Sequence, residues 1–365
     1  MSDEDVFGQT FQRSGRLSPH VGATDQWLRV WRLIIGRHDG QGDFSVLSSE
    51  VPTGIGPSQH TYSAGLRIHF NISMMTAQTP NTAEITIYNL RDDYAKNLIV
   101  EGQYVTLEAG YQWGNAGAIF VGTIKMFKVG HETATDSYLK IYAGDGDKAF
   151  TEAVNNETAE IGTEARDLSR KIETKFEEKN VTTGYVERQA MKLPPLVREH
   201  VLFGQSAEQM RDFARANGAI WHILNEKFNF QGPASYQPGA VINLNAASGL
   251  IGFPEVTPDG ITVTALINSA IRLRQRLRIN NKYINQYFMP GGQSGGTYFQ
   301  MGASFQFAPL SDDIIKRDGL YTPVQINYEG DSRGGPWYMT MTCLAVNEGA
   351  SSSFLSVLNS VFSQI

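Results

Sequence analysis

Short runs in which apolar and polar residues alternate dominate the first part of the chain, and a period of two is the spacing of a strand with one buried face. Trp27-Leu-Arg-Val-Trp-Arg-Leu-Ile-Ile35 opens with alternation and ends apolar, and Gly36 to Gly42 supplies a turn. Leu66-Arg-Ile-His-Phe-Asn-Ile72 puts Leu66, Ile68, Phe70 and Ile72 on one face and His69 on the other. Ala83 to Leu90 repeats the pattern, and Arg91 to Ile99 predicts a short helix closed by Gly102. Strands are predicted again at Tyr104 to Ala109, Ala118 to Lys128 and Ser137 to Tyr142, separated by turn-prone segments. Short strands so closely spaced predict a sandwich or barrel at residues 26–147, preceded by an arm at 1–25.

The period changes after Gly144-Asp-Gly-Asp147. Ala165, Leu168, Ile172 and Phe176 recur at helical spacing among charged residues, the mark of an amphipathic helix with one buried stripe. A second helix is predicted from Ser206, with Ser206 and Gln209 as a capping box, Met210, Phe213 and Ala214 inward, and Gly218 as its stop. Ala219 to Leu224 and Phe228 to Phe230 read as a hairpin, so residues 148–235 form a small α+β module. Strand signals return at 240–244, 260–265, 272–279, 296–307, 322–329 and 337–346, a second β-domain at 236–348. The tail, 349–365, has no charged side chain from Ser353 onward, and Phe354, Leu358, Val361, Phe362 and Ile365 share a helical face that something must cover. The predicted class is therefore mainly β, two barrel or sandwich domains with an inserted α+β module.

Composition narrows the function. A chain of 365 residues suits two or three domains, and 36 Gly with 14 Pro favour strands joined by turns over a helical bundle. A net charge of −6 without a long basic run speaks against a dedicated phosphate-binding surface, so no nucleic-acid specificity is expected. No stretch approaches eighteen apolar residues and Met1-Ser-Asp-Glu-Asp5 does not open a signal peptide, which predicts no membrane insertion and folding in the cytosol. The single Cys343 lies in a strand-like run and is expected as a buried apolar side chain.

Chemistry is sparse. The seven His include no pair four apart on one helix, and one Cys makes no thiolate cluster, so no metal, cofactor or catalytic residue is predicted. His131-Glu132 lacks the second His of a zinc motif and reads as an exposed hairpin residue. Gly144-Asp-Gly-Asp147 lacks the remaining ligands of a calcium loop and reads as a turn. In Gly330-Asp-Ser-Arg-Gly-Gly335 a bond between Asp331 and Arg333 would fix a loop. Arg272, Arg274, Arg276 and Arg278 follow strand alternation opposite Leu273 and Leu277, giving a solvated sheet face, a contact for an acidic partner or the wall of a polar channel.

Four runs in order, Asn81-Thr-Ala-Glu-Ile-Thr-Ile-Tyr-Asn-Leu90, Val105-Thr-Leu-Glu-Ala-Gly-Tyr111, Ile119-Phe-Val-Gly-Thr-Ile124 and Tyr138-Leu-Lys-Ile-Tyr-Ala-Gly-Asp-Gly146, resemble the baseplate hub proteins of contractile bacteriophage tails. Ile251 to Val263 is similar to the start of their second barrel, and Asp318 to Tyr321 with Gly330 to Gly334 and Trp337 to its end. The resemblance implies a structural virion protein assembled in the host cytoplasm. It implies a homotrimer whose two tube-like domains per chain present six barrels to a hexameric tail tube, with a spike below. The tail tube protein, the spike protein, the tape measure and the baseplate wedge proteins are the partners it implies. Competing expectations are a distal tail or tube-initiator ring, a carbohydrate-binding β-protein using Tyr111, Trp113, Tyr236 and Tyr298, and a hydrolase whose carboxylates meet only in space.

Overall fold

The computed structural model describes residues 28–36, 45–49, 62–91, 99, 102–112, 115–233, 235–257, 260–280 and 319–346. Eight strands form the first β-segment: β1 (Arg29–Gly36), β2 (Ser45–Ser48), β3 (Tyr62–Ala64), β4 (Ile68–Met75), β5 (Asn81–Tyr88), β6 (Tyr104–Tyr111), β7 (Gly117–His131) and β8 (Ser137–Asp145). The predicted alternation is what folds. Ile68, Phe70, Ile72 and Met74 of β4, and Ala83, Ile85 and Ile87 of β5, all enter the core. β6 is buried along its whole length, so both its faces are covered. The predicted helix at 91–99, the arm at 1–25, the strand at 296–307 and the tail at 349–365 lie outside the described residues, apart from Arg91 and Ile99.

The inserted module carries β9 (Val154–Ala159), β10 (Thr182–Val186), β11 (His200–Gln205), β12 (Ile220–Leu224) and β13 (Lys227–Gln231). With them come α1 (Asp147–Glu152), α2 (Ala165–Glu177) and α3 (Ser206–Asn217). The stripe Leu168, Ile172 and Phe176 of α2 meets Met210 and Phe213 of α3 around Trp221, Phe228 and Phe230, a core separate from that of the sheet. Trp221 stacks between Phe150 at 5.3 Å and Phe176 at 5.6 Å. Gly218 ends α3 in the left-handed conformation, φ 64°, where a Cβ would be strained. The predicted capping box is absent: Gln205 stands at the N-cap, Ser206 is already helical and buried, and Gln209 Nε2 donates to the Gly204 carbonyl.

The remaining strands are β14 (Ile242–Leu244), β15 (Leu250–Thr257), β16 (Gly260–Leu266), β17 (Leu277–Ile279), β18 (Leu320–Asp331) and β19 (Trp337–Ala345). They do not form a sheet of their own. β18 pairs antiparallel with β4, from Gln325 opposite Met75 to Asp331 opposite His69. The two β-segments thus make one 14-stranded sheet, running β15-β16-β19-β18-β4-β5-β8-β7-β6-β1-β2-β3, with β17 also paired to β18 and β14 paired to β17. The division of sequence at 26–147 and 236–348 is bridged in space by this pairing, and one hydrophobic core contains residues of both segments.

The sheet rolls on itself. β6 and β1 are remote from β18 in strand order, yet they touch the β18–β19 turn. Trp337 Nε1 donates to the Gly110 carbonyl at 3.1 Å, and Arg29 Nη1 donates to the carbonyls of Asp331 at 2.6 Å and Gly335 at 2.7 Å. Trp337 is fully buried and meets the ring of Phe70 edge-on at 5.2 Å. That ring lies flat against Gly330, where an alanine Cβ would sit 2.2 Å from Phe70 Cζ. Gly330→Ala should therefore cost about 1–3 kcal/mol by overpacking, read as a lowered denaturation midpoint with an unchanged m-value. An unchanged midpoint would mean that Phe70 does not hold the turn. Among the described residues no helix is long and apolar enough to cross a membrane.

Candidate functional site

The most elaborate polar site is the joint where the module enters the sheet. β12 and β13 pair from Ile220 opposite Gln231 to Leu224 opposite Lys227, leaving Asn225 and Glu226 as a two-residue turn with φ of 51° and 57°. Positive φ at both positions is the turn whose twist suits a hairpin, and Asn tolerates it better than most residues. One face of the hairpin, Trp221, Ile223, Phe228 and Phe230, belongs to the module core. The other is polar and buried: His222, Asn229 and Gln231 are each at most 4% exposed.

The turn is bonded into the end of the first β-segment. Asp145, fully buried at the end of β8, accepts the backbone N–H groups of Asn225 and Glu226, both at 2.7 Å, and Asn81 Nδ2 at 3.1 Å. Asn81 Nδ2 also reaches the Ile223 carbonyl at 3.0 Å, while its Oδ1 accepts from Met75 N at 2.8 Å. The Asn225 side chain accepts from Val121 N of β7 at 3.0 Å. Glu226 accepts from Gly146 N at 3.3 Å. Strands β4, β5, β7 and β8 are thereby all tied to one hairpin tip.

Two carboxyls this close and this dry cannot both be charged cheaply. Burial first, then the charge of Asp145, pushes Glu226 up to about 8. Burial also raises Asp145, but its three N–H donors oppose the shift, so the ionised member of the pair is Asp145. The joint is a carboxylate beside a carboxylic acid.

On the opposite flank the hairpin meets the second β-segment through Arg274, which has no exposed surface. Its Nη2 donates to the carbonyls of Gly232 at 2.9 Å and Pro233 at 2.6 Å. Burial, then the charge of Arg274, pushes His222 down to about 3, so its ring is neutral. Arg276 lies over the ring of Tyr236 at 4.7 Å.

These positions correct the reading of residues 272–279 as one strand. Only Leu277–Ile279 is extended; Arg274 has φ 63°, which reverses the alternation that a strand requires. Arg272 and Arg278 face solvent, Arg274 is interior and Arg276 is half-buried, so the four do not share a face, while Leu273 and Leu277 do enter the core. Phe354, Leu358, Val361, Phe362 and Ile365 lie outside the described residues.

Other singled-out residues are placed as follows. The Asp331 carboxylate bonds not to the Arg333 guanidinium but to its backbone N–H at 2.8 Å, and takes Arg67 in a two-point pair at 2.7 and 3.2 Å. Arg67, then desolvation opposing it, leaves Asp331 below its ordinary range. Arg333 donates instead to the Gly65 carbonyl at 2.6 Å. Tyr111 is buried with its hydroxyl on the Trp337 carbonyl, so it offers no face to a sugar. Cys343 is fully buried, and burial alone raises its thiol far above the ordinary range. His131 is exposed at the end of β7. Gly144-Asp-Gly-Asp147 is more than a turn: Asp145 anchors the hairpin, Gly146 takes φ 68°, and Asp147 opens α1 and pairs with Lys125 at 2.6 Å. Among the described residues no three His, Cys, Asp or Glu are grouped to hold a metal ion.

No family model and no curated protein matches the sequence. Solved structures do. The 43 kDa tail protein of prophage MuSo2 from Shewanella oneidensis aligns with 86% of this chain and 96% of its own at 7% identity, with a TM-score of 0.50. The fold is shared with a prophage tail protein. A tail protein from Neisseria meningitidis MC58 aligns with 78% of this chain and 93% of its own at 9% identity and a TM-score of 0.47. The Escherichia coli c3393 protein, a component of the type VI secretion system, covers 79% and 76% at 9% identity and 0.46.

Proposed function

We propose that this chain is a structural protein of a bacteriophage tail, the trimeric hub that joins a hexameric tail tube to a trimeric spike. The observation that carries the reading is the likeness to the MuSo2 tail protein, in which 86% of this chain and 96% of that one take part. The described architecture suits a load-bearing part. One continuous sheet runs through both β-segments, and its module is held by buried bonds at a hairpin tip instead of by a loose linker. In this reading the strands on either side of β4 and β18 act as two tube-like units, so that three chains supply six. A closed threefold ring then matches a sixfold one.

The purified chain is expected to form a trimer of about 121 kDa, three times the 40.4 kDa of one chain, at micromolar concentration. Light scattering after size exclusion measures it. A monomer at that concentration would remove the hub reading and leave only the fold.

A further inference from the structure

Among the described residues, the two-stranded sheet of the module has one exposed face. In the register of β9 and β11, Val201 lies opposite Thr158, Phe203 opposite Asn156 and Gln205 opposite Val154, so these six share a side. Phe203 is 76% exposed, Val201 64% and Val154 57%, whereas Leu202, Asn155 and Ala159 on the other side are buried. Just beyond the two strands Ile161 and Val197 are 67% and 88% exposed, beside the exposed Glu160 and Glu199. No side chain among the six is charged. A face of this kind on a folded protein marks a contact, because isolated exposed apolar residues are common but contiguous ones are not.

The chain itself holds a segment of matching chemistry. Residues 353–365, outside the described residues, carry no charged side chain and place Phe354, Leu358, Val361, Phe362 and Ile365 at helical spacing. Where the described chain stops decides its reach. Val346 follows β19, and its N–H bonds the Leu320 carbonyl at the start of β18. The neighbouring rows of the sheet at this end are Thr342, Gln325 and Met75, then the β4–β5 turn. That turn touches the module, since Arg211 of α3 bonds Gln78 at 3.0 Å, and Asn81 just beyond it bonds Asp145. The chain therefore leaves β19 at the end of the sheet where the module sits. Six residues such as 347–352 span up to ~20 Å when extended, and twelve residues rise ~18 Å in any α-helix. A tether so short, where it spans the gap, holds its end at an effective concentration on the order of millimolar.

We infer that residues 353–365 dock in cis on the exposed face of the β9–β11 sheet, their apolar stripe covering Val154, Val201 and Phe203. The segment would then be an integral layer of the module.

Paired cysteines test this on the full chain. Phe203→Cys is combined in turn with Leu358→Cys, Val361→Cys and Phe362→Cys, oxidised at low protein concentration, digested and read by mass spectrometry. Cys343 is fully buried and stays silent. Phe203→Cys is at an exposed position, so folding is kept. At least one pair should give intrachain disulfide tenfold above Lys128→Cys with the same tail cysteine, because Lys128 is exposed towards the other end of β7. Yields equal to that control for all three pairs would overturn the inference. Disulfides found only between chains would overturn it too, assigning the face to a neighbouring copy.

Discussion

Asp145→Ala is expected to destabilise the protein by about 2–4 kcal/mol, since each buried N–H left without an acceptor costs about 1–3 kcal/mol. Three donors lose their acceptor at once: the N–H groups of Asn225 and Glu226, and Asn81 Nδ2. Asn81 keeps the Ile223 carbonyl, but the two turn amides have no alternative partner in the described bonds. Part of the loss is offset, because the charge of Asp145, which helps push Glu226 up, is gone. Asp145→Asn should fall between the variant and the wild type, since its amide has one accepting oxygen for two backbone donors. Hydrogen exchange locates the damage. Amides of β12, β13 and the turn should lose protection by ten- to a hundredfold more than those of β5 and β6. A uniform loss over the whole chain would show that the joint is no separate unit and that module and sheet unfold together.

That joint was invisible in the sequence, and the reason is distance along the chain. Asp145 and Glu226 are 81 residues apart and meet only because the hairpin tip folds back on β8. Gly144-Asp-Gly-Asp147 reads as a turn because nothing local shows that its first carboxylate will be buried. By contrast β1, β4, β5, β6, β7 and β8 were legible, since each alternates apolar residues that enter one core. So were α2 and α3, whose stripes at Leu168, Ile172 and Phe176, and at Met210 and Phe213, are those found buried. β9 and β11 were not. Val154-Asn-Asn-Glu-Thr-Ala159 has too few apolar positions to show its period, and the exposed side of β11 is the more apolar one.

The row from Arg272 to Arg278 misled for a related reason. Alternation of residue types predicts a strand only if every φ stays extended, and Arg274 at φ 63° breaks the run where its side chain is taken into the interior by the Gly232 and Pro233 carbonyls. The pairing of β18 with β4 is likewise a long-range fact. Each strand is plain in the sequence, yet nothing in either run says that the two β-segments will share an edge and fuse into one sheet.

The carboxyl pair also sets how stability responds to pH. Glu226 has a folded-state value raised to about 8 from an ordinary 4.5. A group raised in this direction contributes stability that is fully present below about 4.5 and is lost as pH rises through about 8, because the folded state must then either hold the proton or bear a second buried charge. Asp145 is raised as well and acts with the same sign. The wild type should therefore be markedly less stable at pH 9 than at pH 5, by an amount on the order of a few kcal/mol. Glu226→Gln replaces the carboxylic acid with a neutral group of the same shape that can still accept from Gly146 N. It should match the wild type near pH 5 and exceed it at pH 9, flattening the profile while leaving the fold intact. Denaturation midpoints of the two proteins at both pH values decide the matter. Parallel profiles would show that the Glu226 proton is not what joins the hairpin tip to the sheet, and that the turn is held by Asp145 and its three donors alone.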